Sequence, residues 1–182
     1  GKAKNVVLAF YKPVGVTCTE KDKHAEKIIN DFIKYPIRVT YAGRLDKDSE
    51  GLLLLTNDGM LIDAMMRGAN GHEKEYVVKV NKEITEEFVK RMSLGIRLEE
   101  LETTTRPCKV EKVGKFTFRI ILTQGLNRQI RRMCKVCGYE VIQLKRERVM
   151  NIKLEKLVPG EYKEVTGEEL ENLYTLAGLS QK

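Results

Sequence analysis

Cysteine and histidine are scarce in this sequence, and several motifs that carry common enzyme chemistry are missing. The 182 residues include four cysteines and two histidines. A secreted disulfide scaffold would be shorter and richer in cysteine, so reduced thiols and a cytoplasmic location are expected. No Gly-x-x-x-x-Gly-Lys-[Ser/Thr] loop and no Gly-x-Ser-x-Gly elbow occurs in the chain. These absences argue against phosphate-loop nucleotide binding and against serine–histidine catalysis.

Long apolar runs are also missing. A membrane-spanning helix needs about 20 consecutive apolar residues, and no stretch of the sequence approaches that length. The first residues lack the basic start and apolar segment of a secretion signal. Apolar residues make up 42% of the chain and charged residues 32%, which is typical of an ordinary soluble protein. The length predicts one domain, or one domain with two lobes.

The pair Cys134-Lys-Val-Cys137 has the spacing of a redox or zinc motif. A structural zinc site needs four ligands, and the remaining candidates show no paired spacing: Cys18, Cys108, His24 and His72. The two cysteines also share a helical face with Ile130 and Met133. We therefore expect them to face the core, and we expect no metal site.

Strand-like and helix-like patterns are mixed along the chain without regular alternation, which predicts an α+β fold rather than a wound parallel sheet. Strands are predicted over residues 6–10, 52–56, 75–80, 109–113, 116–122, 141–144 and 149–154. Helices are predicted over 22–34, 60–67, 85–92 and 127–137. A capping box at Thr166-Gly-Glu-Glu169 predicts a last helix that ends near Gly178.

Positive charge is concentrated late in the chain. The net charge is +7, and the segment from Leu126 to Arg148 holds seven basic residues against two acidic ones. Four of these basic residues follow helical spacing on a side away from the apolar positions: Arg128, Arg131, Arg132 and Lys135. Such a face either binds a polyanion such as RNA or is simply a solvated helix surface.

The segment Asp46-Lys-Asp48-Ser-Glu50-Gly51 resembles the first half of a calcium-binding EF-hand loop. The second half fails, because Leu54 and Asn57 stand where the loop needs an oxygen ligand and a bidentate glutamate. Calcium binding is therefore excluded. The remaining interpretation is a turn, Gly43-Arg-Leu-Asp46, that presents one aspartate.

That turn, followed by Gly51-Leu-Leu-Leu-Leu-Thr-Asn-Asp-Gly59, resembles the signature of RNA pseudouridine synthases, in the branch that includes RsuA, RluB, RluE and RluF. The similarity covers residues 5–175. Further motifs agree in the family order: Lys12–Gly15, Lys74–Tyr76, Gln124–Met133 and Leu144–Arg148. Details such as His72–Tyr76 look most like the RluF subgroup.

The resemblance implies a bent, mostly antiparallel sheet flanked by helices, with two lobes and a central cleft. It implies a single catalytic domain over residues 1–182, from which the N-terminal S4 RNA-binding domain of the family is absent. It also implies isomerisation of a uridine in ribosomal RNA, with 23S RNA of the large subunit as the expected partner, and it leaves open whether transfer RNA is also a substrate. No cofactor and no membrane are implied, and a monomer is expected.

The resemblance assigns roles to individual residues. Asp46 would be the nucleophile or base, Arg131 would keep its carboxylate ionised, and Tyr76 would stack on the extruded uracil. Arg44 would fill the space that the base leaves, and Leu144 would line the uracil pocket. The RNA would be bound by Asn127, Arg128, Arg132, Lys135, Lys145, Arg146 and Arg148.

Plainer interpretations of the same residues stay open at this point. Arg131 can be another phosphate contact, Tyr76 an edge-of-core tyrosine, and Arg44 a partner for a nearby carboxylate. The whole chain can be a non-catalytic RNA-binding module that uses the same basic face. It can also be an aspartate-dependent hydrolase, which would need a second acid or a Mg²⁺ site.

Overall fold

The computed structural model describes residues 4–18, 32–67 and 71–179, so most of the helix predicted over 22–34 lies outside the described residues. The chain forms two compact units. The first unit consists of Gly1–Arg67 with Glu147–Lys182, and the second unit consists of Gly68–Arg146. Within the described part of the chain, no helix is both long and apolar enough to span a membrane.

The elements confirm the predicted α+β class. In chain order the strands are β1 (Val7–Lys12), β2 (Thr40–Ala42), β3 (Glu50–Thr56), β4 (Lys74–Val80), β5 (Arg97–Leu98), β6 (Thr103–Thr104), β7 (Lys109–Gly114), β8 (Thr117–Leu122), β9 (Val141–Val149), β10 (Ile152–Lys153) and β11 (Tyr162–Glu164). The helices are α1 (Gly59–Met66), α2 (Glu86–Leu94), α3 (Gln129–Val136) and α4 (Gly167–Leu176), with a 3-10 turn over Glu99–Leu101.

The first unit is built on β3, which pairs antiparallel with β1 and with β2. The four consecutive leucines of β3 are at most 1% exposed, and they pack alternately into two separate apolar clusters. A strand covered on both faces carries continuous apolar residues rather than alternating ones. The run of four leucines is therefore explained by the burial of both faces of β3.

The second unit is built on β8, which pairs antiparallel with β4 on one side and with β7 on the other. In the pairing of β4 with β8, Tyr76 lies opposite Ile120 and Val78 lies opposite Phe118. The predicted inward face of β4 is confirmed, because Val78 and Val80 are buried and Tyr76 packs against the same core. Helix α3 inserts its apolar side into this core, and Cys134 is fully buried there. The predicted core position of the cysteine pair is thus confirmed, with Cys137 partly buried against the cluster.

The helix caps agree with the sequence in one case and disagree in another. Thr85 caps α2 by accepting a hydrogen bond of 3.0 Å from the backbone N–H of Phe88, as its position predicts. Thr166 stands at the N-cap of α4, but its side chain makes no capping hydrogen bond. The predicted capping box is therefore wrong, because Gly167 enters the helix with a φ of +62° instead of a helical φ.

Candidate active site

The loop that carries Asp46 joins β2 to β3 in the first unit. Leu45 and Ser49 on either side of it are 6% and 2% exposed, while Asp46 itself is only partly buried. The backbone N–H of Ser49 donates a 3.0 Å hydrogen bond to the carbonyl oxygen of Asp46. The loop is thus fixed at two buried points, and the aspartate lies between them at the surface of the unit.

The other acidic residues of this loop differ from Asp46 in their surroundings. Asp48 is exposed to solvent, as is Arg44 on the other side of Asp46. Glu50 accepts a 2.6 Å hydrogen bond from the hydroxyl of Tyr11. Burial is the main reason why the pKa of Tyr11 lies well above its ordinary range. The hydrogen bond to Glu50 and the negative charge of Glu50 raise this pKa further. Glu50 is therefore engaged as the acceptor of a tyrosine.

Lys12 is a functional candidate that the sequence interpretation passed over. Its side chain is 0% exposed, and its ammonium donates hydrogen bonds of 2.7 Å to the carbonyl oxygens of Pro13 and Val16. Burial lowers the pKa of Lys12, and the nearby acidic groups, Asp46 among them, oppose that change. A lysine directly after five apolar strand residues was the signal that could have found it.

The same turn is tied to the Asp46 loop through the backbone. The N–H of Gly15 donates a 2.7 Å hydrogen bond to the carbonyl oxygen of Lys47. Gly15 has a φ of +93°, which explains why glycine suits this place. The position of Asp46 therefore depends on the Lys12–Gly15 segment, which the sequence interpretation used only as a family motif.

In the second unit, two glutamines fix the loop that precedes α3. Gln129 is 4% exposed, and its side-chain oxygen accepts a 3.2 Å hydrogen bond from the N–H of Leu126. The amide nitrogen of Gln129 donates a 3.4 Å hydrogen bond to the side-chain oxygen of Gln124. The same oxygen of Gln124 also accepts a 3.1 Å hydrogen bond from the backbone N–H of Arg106. Buried polar groups joined in this way hold a loop in one conformation.

Asn127 and Arg132, both predicted to contact RNA, bond to each other. The guanidinium of Arg132 donates to the carbonyl oxygen of Asn127 at 2.9 Å and to its side-chain oxygen at 2.8 Å. It also forms an ion pair with Glu100 of the 3-10 turn. Arg132 thus braces the start of α3, and its contact with RNA stays a prediction.

The remaining predicted residues are divided between the units. In the second unit, Arg128 and Lys135 are exposed, Arg131 and Lys145 are partly buried, and Leu144 and Arg146 are 6% and 3% exposed. Arg148 belongs to the first unit, where it donates a 2.6 Å hydrogen bond to the carbonyl oxygen of Met150. Each unit therefore brings together part of the predicted set: Asp46 with Arg44 and Arg148 in the first, and Tyr76 and Arg131 with the others in the second.

Among the described residues, no group of three or more histidine, cysteine, aspartate or glutamate side chains could hold a metal ion. Burial raises the pKa of Cys134 to about 12, which keeps its thiol protonated. The candidate groups for chemistry are the carboxylate of Asp46 in the first unit and the basic side chains of α3 in the second.

Comparisons with known proteins agree with one another. The family model for RNA pseudouridylate synthases matches residues 6–136. The dual-specificity RNA pseudouridine synthase RluF of Escherichia coli K12 is 50% identical over 171 residues, which are 94% of this chain and 58% of that protein. This chain thus spans a little over half the length of that relative.

In two further matches, this chain covers a larger share of the matched protein than it covers of RluF. The ribosomal large subunit pseudouridine synthase B of Bacillus subtilis is 38% identical over 177 residues, which are 94% of this chain and 72% of that protein. A crystal structure of a pseudouridylate synthase superposes with a TM-score of 0.86 at 29% identity, covering 93% of this chain and 74% of that one.

Proposed function

Because this chain belongs to the RNA pseudouridylate synthase family, we propose that it isomerises a uridine to pseudouridine in ribosomal RNA of the large subunit. The observation that carries the proposal is the 50% identity with RluF over 171 residues. The name of the Bacillus subtilis relative supports 23S RNA as the substrate. The dual specificity of RluF supports a second RNA substrate, for which transfer RNA is our candidate.

The reaction needs no oxidant and no second substrate. The bond between N1 of uracil and C1′ of the ribose breaks, and a bond between C5 and C1′ forms. The proton leaves C5, and N1 ends with a proton, so the product is an isomer of uridine. A single carboxylate can serve this chemistry by attacking C1′, by attacking the uracil ring, or by removing a proton from the sugar.

Asp46 is the residue that we propose for this role. Its loop is fixed by the buried Leu45 and Ser49 and by the hydrogen bond from Gly15 to Lys47. A nucleophile held by rigid neighbours loses little entropy when the substrate arrives. The other carboxylates of the loop suit the role less well, because Glu50 is bonded to Tyr11 and Asp48 is exposed.

Tyr76 and Arg131 complete the proposed site, and both assignments come from the family resemblance. Tyr76 would stack its ring on the extruded uracil, and Arg131 would supply the positive charge that keeps the carboxylate ionised. Both residues are partly buried in the second unit, so each keeps some surface for a ligand. Leu144, buried in the core of the same unit, would line the uracil pocket.

The basic face would hold the RNA while the uridine is extruded. Taking a base out of its stack costs a few kcal/mol, which contacts with the backbone must offset. Arg128 and Lys135 are exposed on α3 and suit phosphate binding, and Arg44 is exposed beside Asp46 and would fill the space that the base leaves. With ribosomal RNA as substrate, the chain would act in the cytoplasm, and we expect it to act as a monomer.

The proposal is tested by identifying the product. Ribosomal and transfer RNA from cells that lack this protein would be incubated with it, the RNA labelled with tritium at C5 of uridine. We expect tritium to be released to water in step with the appearance of pseudouridine. Free uracil or free phosphate would instead indicate a hydrolase, and tight binding without either product would indicate a non-catalytic RNA-binding module.

A further inference from the structure

We propose that Lys74 and Arg146 together bind a phosphate of the RNA substrate, at the end of the second unit's core and beside Gly125. The inference rests on the proposed function, since it names two residues that would grip the same RNA. It adds a binding role for Lys74, the first residue of β4. Three features carry it: the face on which Lys74 lies, the position of Arg146, and the space at Gly125.

Lys74 lies on the inward face of β4. Side chains alternate along a strand, so Lys74 shares its face with Tyr76 and Val78, which pack into the core of the second unit. It stands opposite Leu122 of β8, which is 4% exposed. A lysine that only contacts solvent is expected on the outward face of β4, where Lys79 is exposed.

Arg146 brings a second positive charge to this place. It is two residues beyond Leu144 on β9 and so shares its face, and it is 3% exposed. Burial lowers the pKa of Lys74, and the charge of Arg146 lowers it further. The two positive charges are therefore close enough to repel each other.

Gly125 leaves room next to the ammonium of Lys74. A Cβ atom added at Gly125 would lie 3.9 Å from that nitrogen, and among the described residues, chain neighbours apart, no other atom lies within 4 Å of it. In residues 4–18, 32–67 and 71–179, the structure records no acceptor hydrogen-bonded to the ammonium of Lys74. The fully buried Lys12, by contrast, has two carbonyl acceptors. The contrast indicates that the acceptor for Lys74 is supplied by a ligand.

The chemistry of that ligand follows from the two side chains. An ammonium and a guanidinium on neighbouring strands, close enough to repel each other, match a group with more than one anionic or strongly accepting oxygen, as a phosphodiester has. Tyr76 and Leu144, the proposed uracil contacts, are two residues away on the same strand faces. The phosphate is therefore expected to be one next to the extruded uridine.

The test compares Lys74→Met with Lys79→Met, which removes the same charge from the opposite face of the same strand. Both would be made in the Asp46→Asn background, and binding of a uridine-containing RNA would be measured over a range of salt. We expect Lys74→Met to weaken binding about tenfold and to lower the slope of log affinity against log salt by about 0.7, the loss of one phosphate contact. Lys79→Met should change neither, and Lys74→Arg should restore both.

The midpoint of thermal unfolding without RNA separates binding from architecture. Because Lys74→Met removes a partly buried charge that Arg146 repels, it should raise the midpoint or leave it unchanged while weakening RNA binding. An unchanged affinity and salt slope would overturn the inference, as would a lowered midpoint that Lys74→Arg does not restore. Failure of the proposed function is a separate result, namely that the protein with Asp46 intact forms no pseudouridine.

Discussion

The ammonium of Lys12 donates a 2.7 Å hydrogen bond to the carbonyl oxygen of Val16, four residues along the chain. A second bond of the same length goes to the carbonyl oxygen of Pro13. The turn that follows β1 is therefore closed around a buried cation. The backbone N–H of Gly15 in this turn donates a hydrogen bond to the carbonyl oxygen of Lys47, so the turn also holds the loop that carries Asp46, the proposed nucleophile.

We expect Lys12→Met to lower the free energy of unfolding by about 2 kcal/mol, because two carbonyl oxygens lose their donor in a place that water does not reach. Urea denaturation of the two proteins measures this. Lys47→Met, at an exposed position of the Asp46 loop, is the matched control and should change stability little. Equal stability of Lys12→Met and the wild type would show that the two bonds contribute nothing.

Gly95→Ala should be far more damaging than a glycine substitution in α1. Gly95 has a φ of +114°, and an added Cβ would lie 2.5 Å from the carbonyl oxygen of Thr105. We expect a loss of at least about 2 kcal/mol. Gly59→Ala, where no described atom outside the chain neighbours and the helix's own backbone lies within 4 Å of an added Cβ, should stabilise by up to about 1 kcal/mol. Chemical denaturation ranks the two variants, and a Gly95→Ala protein as stable as Gly59→Ala would contradict the described backbone.

Stability should fall at alkaline pH partly through Cys108. Burial raises the pKa of this thiol from its ordinary 9.0 to about 11. Its contribution is complete below pH 9 and is lost as pH rises toward 11, because the unfolded thiol ionises first. Compared with Cys108→Ala, the wild type should lose about 2 kcal/mol between these pH values. Denaturation under reducing conditions measures the difference, and parallel pH profiles would contradict a thiol that partial burial keeps protonated.

Arg128 and Arg132 should respond differently to replacement by methionine. Arg128→Met should lower RNA affinity and reduce the salt dependence by the equivalent of about one phosphate. Arg132→Met should also lower the free energy of unfolding, by about 1 kcal/mol, because its bonds to Asn127 and Glu100 are lost. If the two variants behave alike in both measurements, Arg132 is a phosphate contact rather than a brace.

Local patterns predicted the local structure well. The alternation in β4 identified the face of Tyr76, Val78 and Val80, and helical spacing placed Ile130 and Cys134 of α3 in the core. Both patterns arise within one element, where the period of the backbone decides which side chains are buried. The failure at Thr166 was also local, because the sequence pattern of a capping box does not report the positive φ of Gly167.

Contacts between distant residues could not be read in the same way. Glu100 and Arg132 are 32 residues apart, and only the packing of the 3-10 turn beside α3 makes them partners. Lys12 is buried because carbonyl oxygens of the next turn receive it, which no periodicity shows. The roles of Asp46, Tyr76 and Arg131 came from the family resemblance, and they stay predictions because their chemistry needs a bound substrate.

The most direct measurement compares Asp46→Asn with Asp48→Asn, two isosteric changes in one loop that each remove one negative charge. Pseudouridine formation and RNA affinity would be measured for both with the same ribosomal RNA. We expect Asp46→Asn to bind RNA as the wild type does but to form no pseudouridine, whereas Asp48→Asn should retain both properties. Pseudouridine formation by Asp46→Asn at the wild-type rate would contradict this expectation.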